Sequence, residues 1–126
     1  MAKHVAIMGV TGAVGTELLR LLDERKFPLA SLKLLASKRS AGKKILFKGN
    51  ELTVEELTHD SFKGIDIVLS AAGGAVSAEY APSAVKAGAV YIDNSSNFRM
   101  DPEVPLIIPE INPETLAQHK GIISNP

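Results

Sequence analysis

The sequence has 126 residues, which suits one compact domain, and 45% of them are hydrophobic. Fourteen basic and fourteen acidic residues cancel to a net charge of zero and are spread along the chain, which argues against a nucleic-acid partner. The absence of cysteine excludes disulfides, thiolate metal ligands and thiol nucleophiles within these residues, and no metal site is predicted. With no signal-peptide pattern and no apolar stretch long enough to span a bilayer, we expect a soluble cytoplasmic protein without a membrane partner.

The first 36 residues predict a strand, a helix and a second strand. Residues 4–8 form a short apolar run that stops at Gly9, and residues 13–25 carry leucines at helical spacing. After Pro28, residues 32–36 resume as an apolar run. Strands joined by a helical crossover pair in parallel, so this stretch is predicted to be one βαβ unit.

The middle of the chain predicts a loop, a hairpin, a buried strand and a helix. Residues 37–44 are rich in Ser, Lys, Arg and Gly, as in an exposed loop, and residues 45–47 and 51–54 flank a turn. Residues 65–71 are almost continuously apolar, which is typical of a strand covered on both faces. A helix is predicted over residues 75–86, with Gly88 at its C-cap, followed by a strand over 90–92.

The last third predicts a polar segment over 93–105, a strand over 106–108, a helix over 113–119 capped by Asn112, and a strand over 121–124. Alternating strands and helices favour an α/β fold with a doubly wound, Rossmann-like and mostly parallel sheet. A closing strand leaves part of an apolar sheet face without its helix. We therefore expect the sheet to be incomplete at its C-terminal end and the natural chain to continue past Pro126.

Residues 9–15 read GVTGAVG, a G-x-x-G-x-x-G spacing directly between the first strand and the first helix. Glycines at this place permit a tight turn, let the backbone approach a pyrophosphate, and aim helix N-terminal N–H groups at the anion. The alternative is a glycine turn without a ligand. The Thr11 hydroxyl could bind a phosphate or could equally cap the helix. The location favours a dinucleotide site.

The end of the second predicted strand distinguishes NADP from NAD. NAD-binding folds usually place an acidic residue there to bind the ribose 2′-hydroxyl, but residues 36–40 read ASKRS. Arg39 offers a forked set of donors and Ser37 and Ser40 offer hydroxyls, which suits a 2′-phosphate. The alternative is a basic loop that is merely solvated. The position in the fold favours NADP.

Two further segments follow predicted strands and are expected at the same edge of the sheet. Gly73 and Gly74 end the strand across the switch point, where the backbone could lie against the cofactor or could simply begin a helix. Residues 93–100 read DNSSNFRM, in which Arg99 could hold an anionic substrate group. A solvated turn pinned by Phe98 is the alternative for that segment.

Five ordered segments together resemble the bacterial aspartate-semialdehyde dehydrogenases: GVTGAVG at 9–15, ASKRSAGK at 36–43, DNSSNFRM at 93–100, VPLIIPEIN at 104–112 and SNP at 124–126. The related N-acetylglutamyl-phosphate reductases share the general plan. The Asn94-Ser95-Ser96 run before Arg99 and the 105–112 segment look more like the aspartate enzymes.

The resemblance implies an N-terminal NADP-binding domain spanning residues 1–126. The parent oxidoreductase would interconvert aspartate semialdehyde plus phosphate with aspartyl phosphate, in the biosynthesis of lysine, methionine and threonine, and would act as a homodimer. The roles it implies fall on four groups: Gly9, Thr11, Gly12, Ala13 and Val14 for the pyrophosphate; Ser37, Arg39 and Ser40 for the 2′-phosphate; Gly73 along the cofactor; and Arg99 for the substrate phosphate.

The family's catalytic cysteine lies two positions after the Asn-Pro pair that here is Asn125-Pro126, so the resemblance implies that catalysis and dimerisation need a second domain. We expect the chain alone to bind cofactor but not to catalyse. One alternative is a stand-alone NADP-binding module or sensor without a catalytic domain. A short-chain reductase is excluded because Ala84 follows Tyr80 and Ser95 follows Tyr91 where that family has a lysine four residues after its tyrosine.

Overall fold

The computed structural model describes residues 2–93 and 121–124. Its strands are β1 (Lys3–Met8), β2 (Leu29–Ala36), β3 (Lys44–Phe47), β4 (Asn50–Thr53), β5 (Glu55–Glu56), β6 (Ile67–Ser70), β7 (Val90–Asp93) and β8 (Ile122–Ser124), and its helices are α1 (Ala13–Glu24) and α2 (Gly74–Lys86). The polar segment after Asp93, Arg99, the strand at 106–108 and the helix at 113–119 with its cap Asn112 lie outside the described residues.

Six of the described strands form one sheet in the order β5-β2-β1-β6-β7-β8. Every pairing between them is parallel: β1 pairs with β2 and β6, β2 with β5, and β7 with β6 and β8. The chain builds outward from β1 in one direction and then, from β6, in the other. This confirms the predicted doubly wound α/β sheet, and it puts a switch point between β1 and β6, where such sheets bind ligands beyond the carboxyl ends of the strands.

The strands bury both faces because successive side chains alternate across the sheet. On one face Met8 of β1 packs with Ala81 and Ala84 of α2. On the other face Ile7 of β1 packs with Leu19 and Leu22 of α1. The two helices therefore cover opposite faces of the sheet. Both begin beyond the carboxyl ends of the strands, which brings their N-termini to the switch point.

The antiparallel pair β3 and β4 confirms the predicted hairpin. Ile45, Phe47 and Leu52 pack against the same cluster as α1, so the hairpin covers the sheet beside that helix. The short strand β5, in which Glu55 and Glu56 pair with the end of β2, was not predicted. Two consecutive glutamates have no apolar periodicity, so pairing at the sheet edge is decided by tertiary contacts.

The structure confirms that α2 ends at the predicted glycine, but its C-cap is Ala87 and Gly88 follows one position later. Gly88 has φ +97°, a left-handed conformation that glycine adopts without the steric cost of a side chain. Its N–H donates to the Val85 carbonyl at 2.9 Å, which satisfies one of the carbonyls at the helix end. The turn brings the chain back into the sheet at β7.

Candidate functional site

The two strand ends at the switch point touch each other through the backbone of Gly9. Gly9 has φ +70°, and a Cβ atom there would lie 2.9 Å from the Ala72 nitrogen and 3.0 Å from the Ala71 carbonyl carbon. Both the conformation and the contact exclude a side chain. The turn after β1 therefore closes directly onto the turn after β6.

Gly15 is required for packing. A Cβ atom there would lie 2.6 Å from both the Gly9 oxygen and the Val10 Cα atom. Glycine in the first turn of α1 thus lets the helix rest on the backbone of the preceding turn. This third glycine of the G-x-x-G-x-x-G spacing sets the angle at which α1 leaves the sheet.

Gly12 and Gly73 differ from Gly9 and Gly15, because nothing in the described part of the protein requires glycine at either of these two positions. Both are helix N-caps in ordinary extended conformations, with φ −84° and −68°. A Cβ atom at Gly12 would meet only the Gly9 oxygen, at an ordinary 3.6 Å, and one at Gly73 would meet nothing within 4 Å. Ser, Thr, Asp or Asn would cap a helix better. Open space at both caps is what a ligand lying against the backbone needs.

Both helix N-termini also retain their capacity to bind an anion. Neither α1 nor α2 has a side-chain cap hydrogen bond or an acidic residue in its first turn. The N–H groups of Ala13 and Val14, at the start of α1, have no acceptor among the described residues. Unsatisfied N–H groups and the positive end of the helix dipole favour a phosphate group.

Thr11 does not cap α1. The N-cap is Gly12, and the Thr11 hydroxyl has no hydrogen-bond partner among the described residues. The capping alternative for this residue is therefore wrong. Thr11 is exposed at the mouth of the groove described next.

A groove of about 470 Å³ joins the glycine turn to the end of β2. Its volume lies within the range usual for small-molecule sites. Its walls come from the turn after β1, the ends of β2 and β5, and the start of α2. They are Gly9, Thr11, Ala36, Ser37, Lys38, Glu56, Leu57, Ala72, Val76, Glu79 and Tyr80. The structure thus brings together the glycine turn and Ser37, which the sequence predicted to serve one nucleotide.

The other residues predicted to bind the 2′-phosphate, Arg39 and Ser40, lie next to this groove. Residues 37–43 form a turn in which the Ser40 N–H donates to the Ser37 carbonyl at 2.9 Å. Arg39 is exposed and does not line the groove, but it directly follows Lys38, which does. Neither cation has an acidic partner within residues 2–93 and 121–124. The end of β2 therefore presents two cations without an ion-pair partner beside a groove whose walls also include the carboxylates of Glu56 and Glu79.

The wall contributed by α2 and by the chain after β5, where Val76, Tyr80 and Leu57 line the groove, was not predicted from the sequence. Burial, followed by the nearby Glu79 carboxylate, raises the pKa of Tyr80 above its usual range, so the phenol keeps its proton at neutral pH. The ring of His59 stacks on Tyr80 with centroids 4.6 Å apart. The four-residue spacing of Val76 and Tyr80 on one helix face was the available signal.

Beneath the start of α2 lies a buried polar group formed by Ser70, Ser77, Tyr91 and Asp93, each 0% exposed. The Ser77 hydroxyl donates to Asp93 Oδ1 at 2.8 Å and lies 2.7 Å from the Tyr91 hydroxyl. Burial raises the pKa of Tyr91 above its usual range, so this phenol also stays protonated. The group joins the ends of β6 and β7 to α2.

A second cavity, of about 490 Å³, lies between α1 and the hairpin and has Leu19, Ile45 and Phe47 in its walls. Of the residues predicted to bind cofactor, only Thr11 borders it. Within the described residues, no group of three or more His, Asp or Glu side chains could hold a metal ion, and no helix is long and apolar enough to cross a membrane.

A parallel, doubly wound sheet with a glycine turn at its switch point defines a dinucleotide-binding α/β domain. The family model described as "Semialdehyde dehydrogenase, NAD binding domain" matches residues 4–119. The chain belongs to this family.

Among curated proteins, the chain is 61% identical over 123 residues to an aspartate-semialdehyde dehydrogenase of Synechocystis sp. and 55% identical to that of Bacillus subtilis. Each alignment covers 98% of this chain but 36% of the relative, so the chain spans about a third of the length of these proteins.

Two solved structures have the same fold. Aspartate semialdehyde dehydrogenase II of Vibrio cholerae, complexed with ASA, is 46% identical, with a TM-score of 0.96 over 100% of this chain and 42% of that one. The Candida albicans enzyme with NADP is 28% identical, with a TM-score of 0.82 over 98% of this chain and 42% of that one.

Proposed function

We propose that this chain is the NADP-binding domain of an aspartate-semialdehyde dehydrogenase. The observation that carries the proposal is the groove that runs from the glycine turn to Ser37 and Lys38, beside two glycine N-caps that leave open space. The family match and the NADP named in the Candida albicans structure support the same ligand.

Each predicted residue has a role in this proposal. The turn after β1 and the first N–H groups of α1 hold the pyrophosphate, and the end of β2 holds the 2′-phosphate. Gly73 leaves room for the cofactor at the start of α2. The residues are Gly9, Thr11, Gly12, Ala13 and Val14 for the pyrophosphate, and Ser37, Arg39 and Ser40 for the 2′-phosphate; we add Lys38, which lines the groove.

In the whole enzyme, NADP would accept hydride from the substrate as aspartate semialdehyde and phosphate become aspartyl phosphate. The residues of this chain bind and orient the nucleotide, and Arg99 binds the substrate phosphate. We further propose that residues 1–126 form this single domain, that catalysis and dimerisation require a second domain, and that the enzyme is cytoplasmic, with neither nucleic-acid nor membrane partners.

Titration of the chain with NADPH and NADH tests the cofactor assignment. We expect NADPH to bind at least about tenfold more tightly, because one charge-assisted hydrogen bond to a phosphate contributes about 1.5–3 kcal/mol. The measurement is isothermal titration calorimetry at low and moderate salt. Equal affinities for the two cofactors would contradict the assignment of the 2′-phosphate site.

Arg39→Ala is expected to remove most of the preference for NADPH while changing NADH binding less than about twofold. Arg39 is exposed and unpaired among the described residues, so its loss leaves no orphaned carboxylate and little cost in stability. Arg25→Ala, which removes an exposed arginine at the end of α1, is the matched control. Unchanged discrimination in Arg39→Ala would move the 2′-phosphate site elsewhere.

A further inference from the structure

The buried polar group beneath α2 has a defined direction of hydrogen bonding. A carboxylate only accepts, so the single hydroxyl proton of Ser77 goes to Asp93. The Tyr91 hydroxyl then donates to the Ser77 oxygen at 2.7 Å. Ser77 is thus held between a donor from β7 and an acceptor at the end of the same strand.

Ser77 is also one turn away from the helix N-terminus that borders the groove. Its N–H donates to the Gly73 carbonyl at 3.0 Å, the first hydrogen bond of α2. Ser70, which lies 3.3 Å from the Ser77 hydroxyl, accepts from the Ala72 N–H at 3.4 Å. The same buried group therefore contacts both the start of α2 and the turn that closes on Gly9.

A buried carboxylate is weak evidence for stability, because apolar residues of similar volume often pack a core at least as well. Ala81 and Ala84, on the next turns of α2, are fully buried in the apolar cluster, and Tyr80 and Val85 pack against it at its margin. A directional bond fixes the rotation of the helix about its axis, which apolar contacts do less well.

We propose that Ser77 is a positioning residue for nucleotide binding: its hydrogen bond to Asp93 fixes the first turn of α2, and so the N–H groups and Val76 that face the cofactor. The inference rests on the proposed function. It concerns the whole groove wall and not the 2′-phosphate, which the end of β2 binds.

Ser77→Ala tests this inference with three nucleotides, NADPH, NADH and 2′,5′-ADP. We expect all three dissociation constants to rise by a similar factor, about three- to tenfold, because the alignment of a helix N-terminus contributes on this scale. Arg39→Ala, by contrast, should weaken only the two ligands that carry a 2′-phosphate. Affinities are measured by calorimetry at a temperature where circular dichroism shows each variant to be folded.

The matched control is Tyr91→Phe, which removes a hydroxyl from the same buried group but keeps the bond between Ser77 and Asp93. We expect it to lower the Tm by several degrees, as Ser77→Ala does, while the three dissociation constants stay within about twofold of the unmodified chain. A role in stability alone would make the two variants behave alike.

If Ser77→Ala does not fold, Ser77→Cys replaces it, because a thiol keeps a weak donor of similar size. Its expected effect is smaller, about two- to threefold, and again equal for the three nucleotides. A folded Ser77→Ala or Ser77→Cys with unchanged affinities would overturn the inference and leave the proposed function intact. An unmodified chain that binds none of the three would overturn both.

Discussion

Replacing Gly15 with alanine is expected to lower the free energy of unfolding by about 3 kcal/mol. The new Cβ atom would lie 2.6 Å from the Gly9 oxygen and 2.7 Å from the Val10 oxygen, and both are backbone atoms that cannot rotate away. Alanine is the better helix former by about 1 kcal/mol, but this gain is smaller than the cost of moving α1 off the turn. Chemical denaturation monitored by circular dichroism measures the difference.

Gly73→Ala is the matched control for this prediction. It introduces the same methyl group at the start of the other helix, where no atom lies within 4 Å and φ is −68°. Its stability should stay within about 0.5–1 kcal/mol of the unmodified chain. Similar losses in the two variants would mean that glycine is needed for chain flexibility and not for close packing at Gly15.

Gly12→Asp is expected to change stability and cofactor binding in opposite directions. Gly12 is an N-cap with φ −84° and ψ 175°, a conformation that aspartate adopts readily, and a carboxylate there would cap α1 and complement its dipole. We expect the free energy of unfolding to rise by about 0.5–1 kcal/mol. The same carboxylate would occupy and repel the pyrophosphate, so NADPH affinity should fall at least about 100-fold.

Gly12→Asn separates the two causes. The amide matches aspartate in shape and capping but carries no charge, so it should fill the space and weaken NADPH by about tenfold, with the remainder of the aspartate effect due to repulsion. Thermal unfolding with and without NADPH measures stability and affinity together. If both variants bind NADPH normally, the pyrophosphate does not lie against Gly12.

The fold was largely predictable because its signals are local. The run that became β1, the leucines of α1, the hairpin around residues 48–50 and the Gly88 turn each carry their own periodicity or turn chemistry. The edge strand β5 was missed, and β2 begins three residues earlier than the apolar run indicated. Both differences are at sheet edges, where pairing with a neighbouring strand replaces apolar periodicity as the determinant.

The candidate site was only partly predictable. The glycine spacing and the basic strand end identified two regions, and the groove brings Gly9, Thr11 and Ser37 together. The wall formed by Val76 and Tyr80 could not be assigned, because only the position of α2 across the switch point shows which helix face borders the groove. The G-x-x-G-x-x-G spacing also does not distinguish the glycines that pack closely from those that leave space for a ligand.

The sequence by itself determined the order of the described elements other than β5, the parallel sheet, and the absence of an acid from residues 36–40, because each depends on residues that are neighbours in the chain. Only the tertiary structure divided the glycines into those that pack, Gly9 and Gly15, and those that leave space, Gly12 and Gly73. It alone buried Ser77 against Tyr91 and Asp93, which lie fourteen and sixteen residues further along the chain. The physical reason is that steric room and hydrogen-bond geometry depend on which distant backbone atoms meet, and no local pattern encodes those distances.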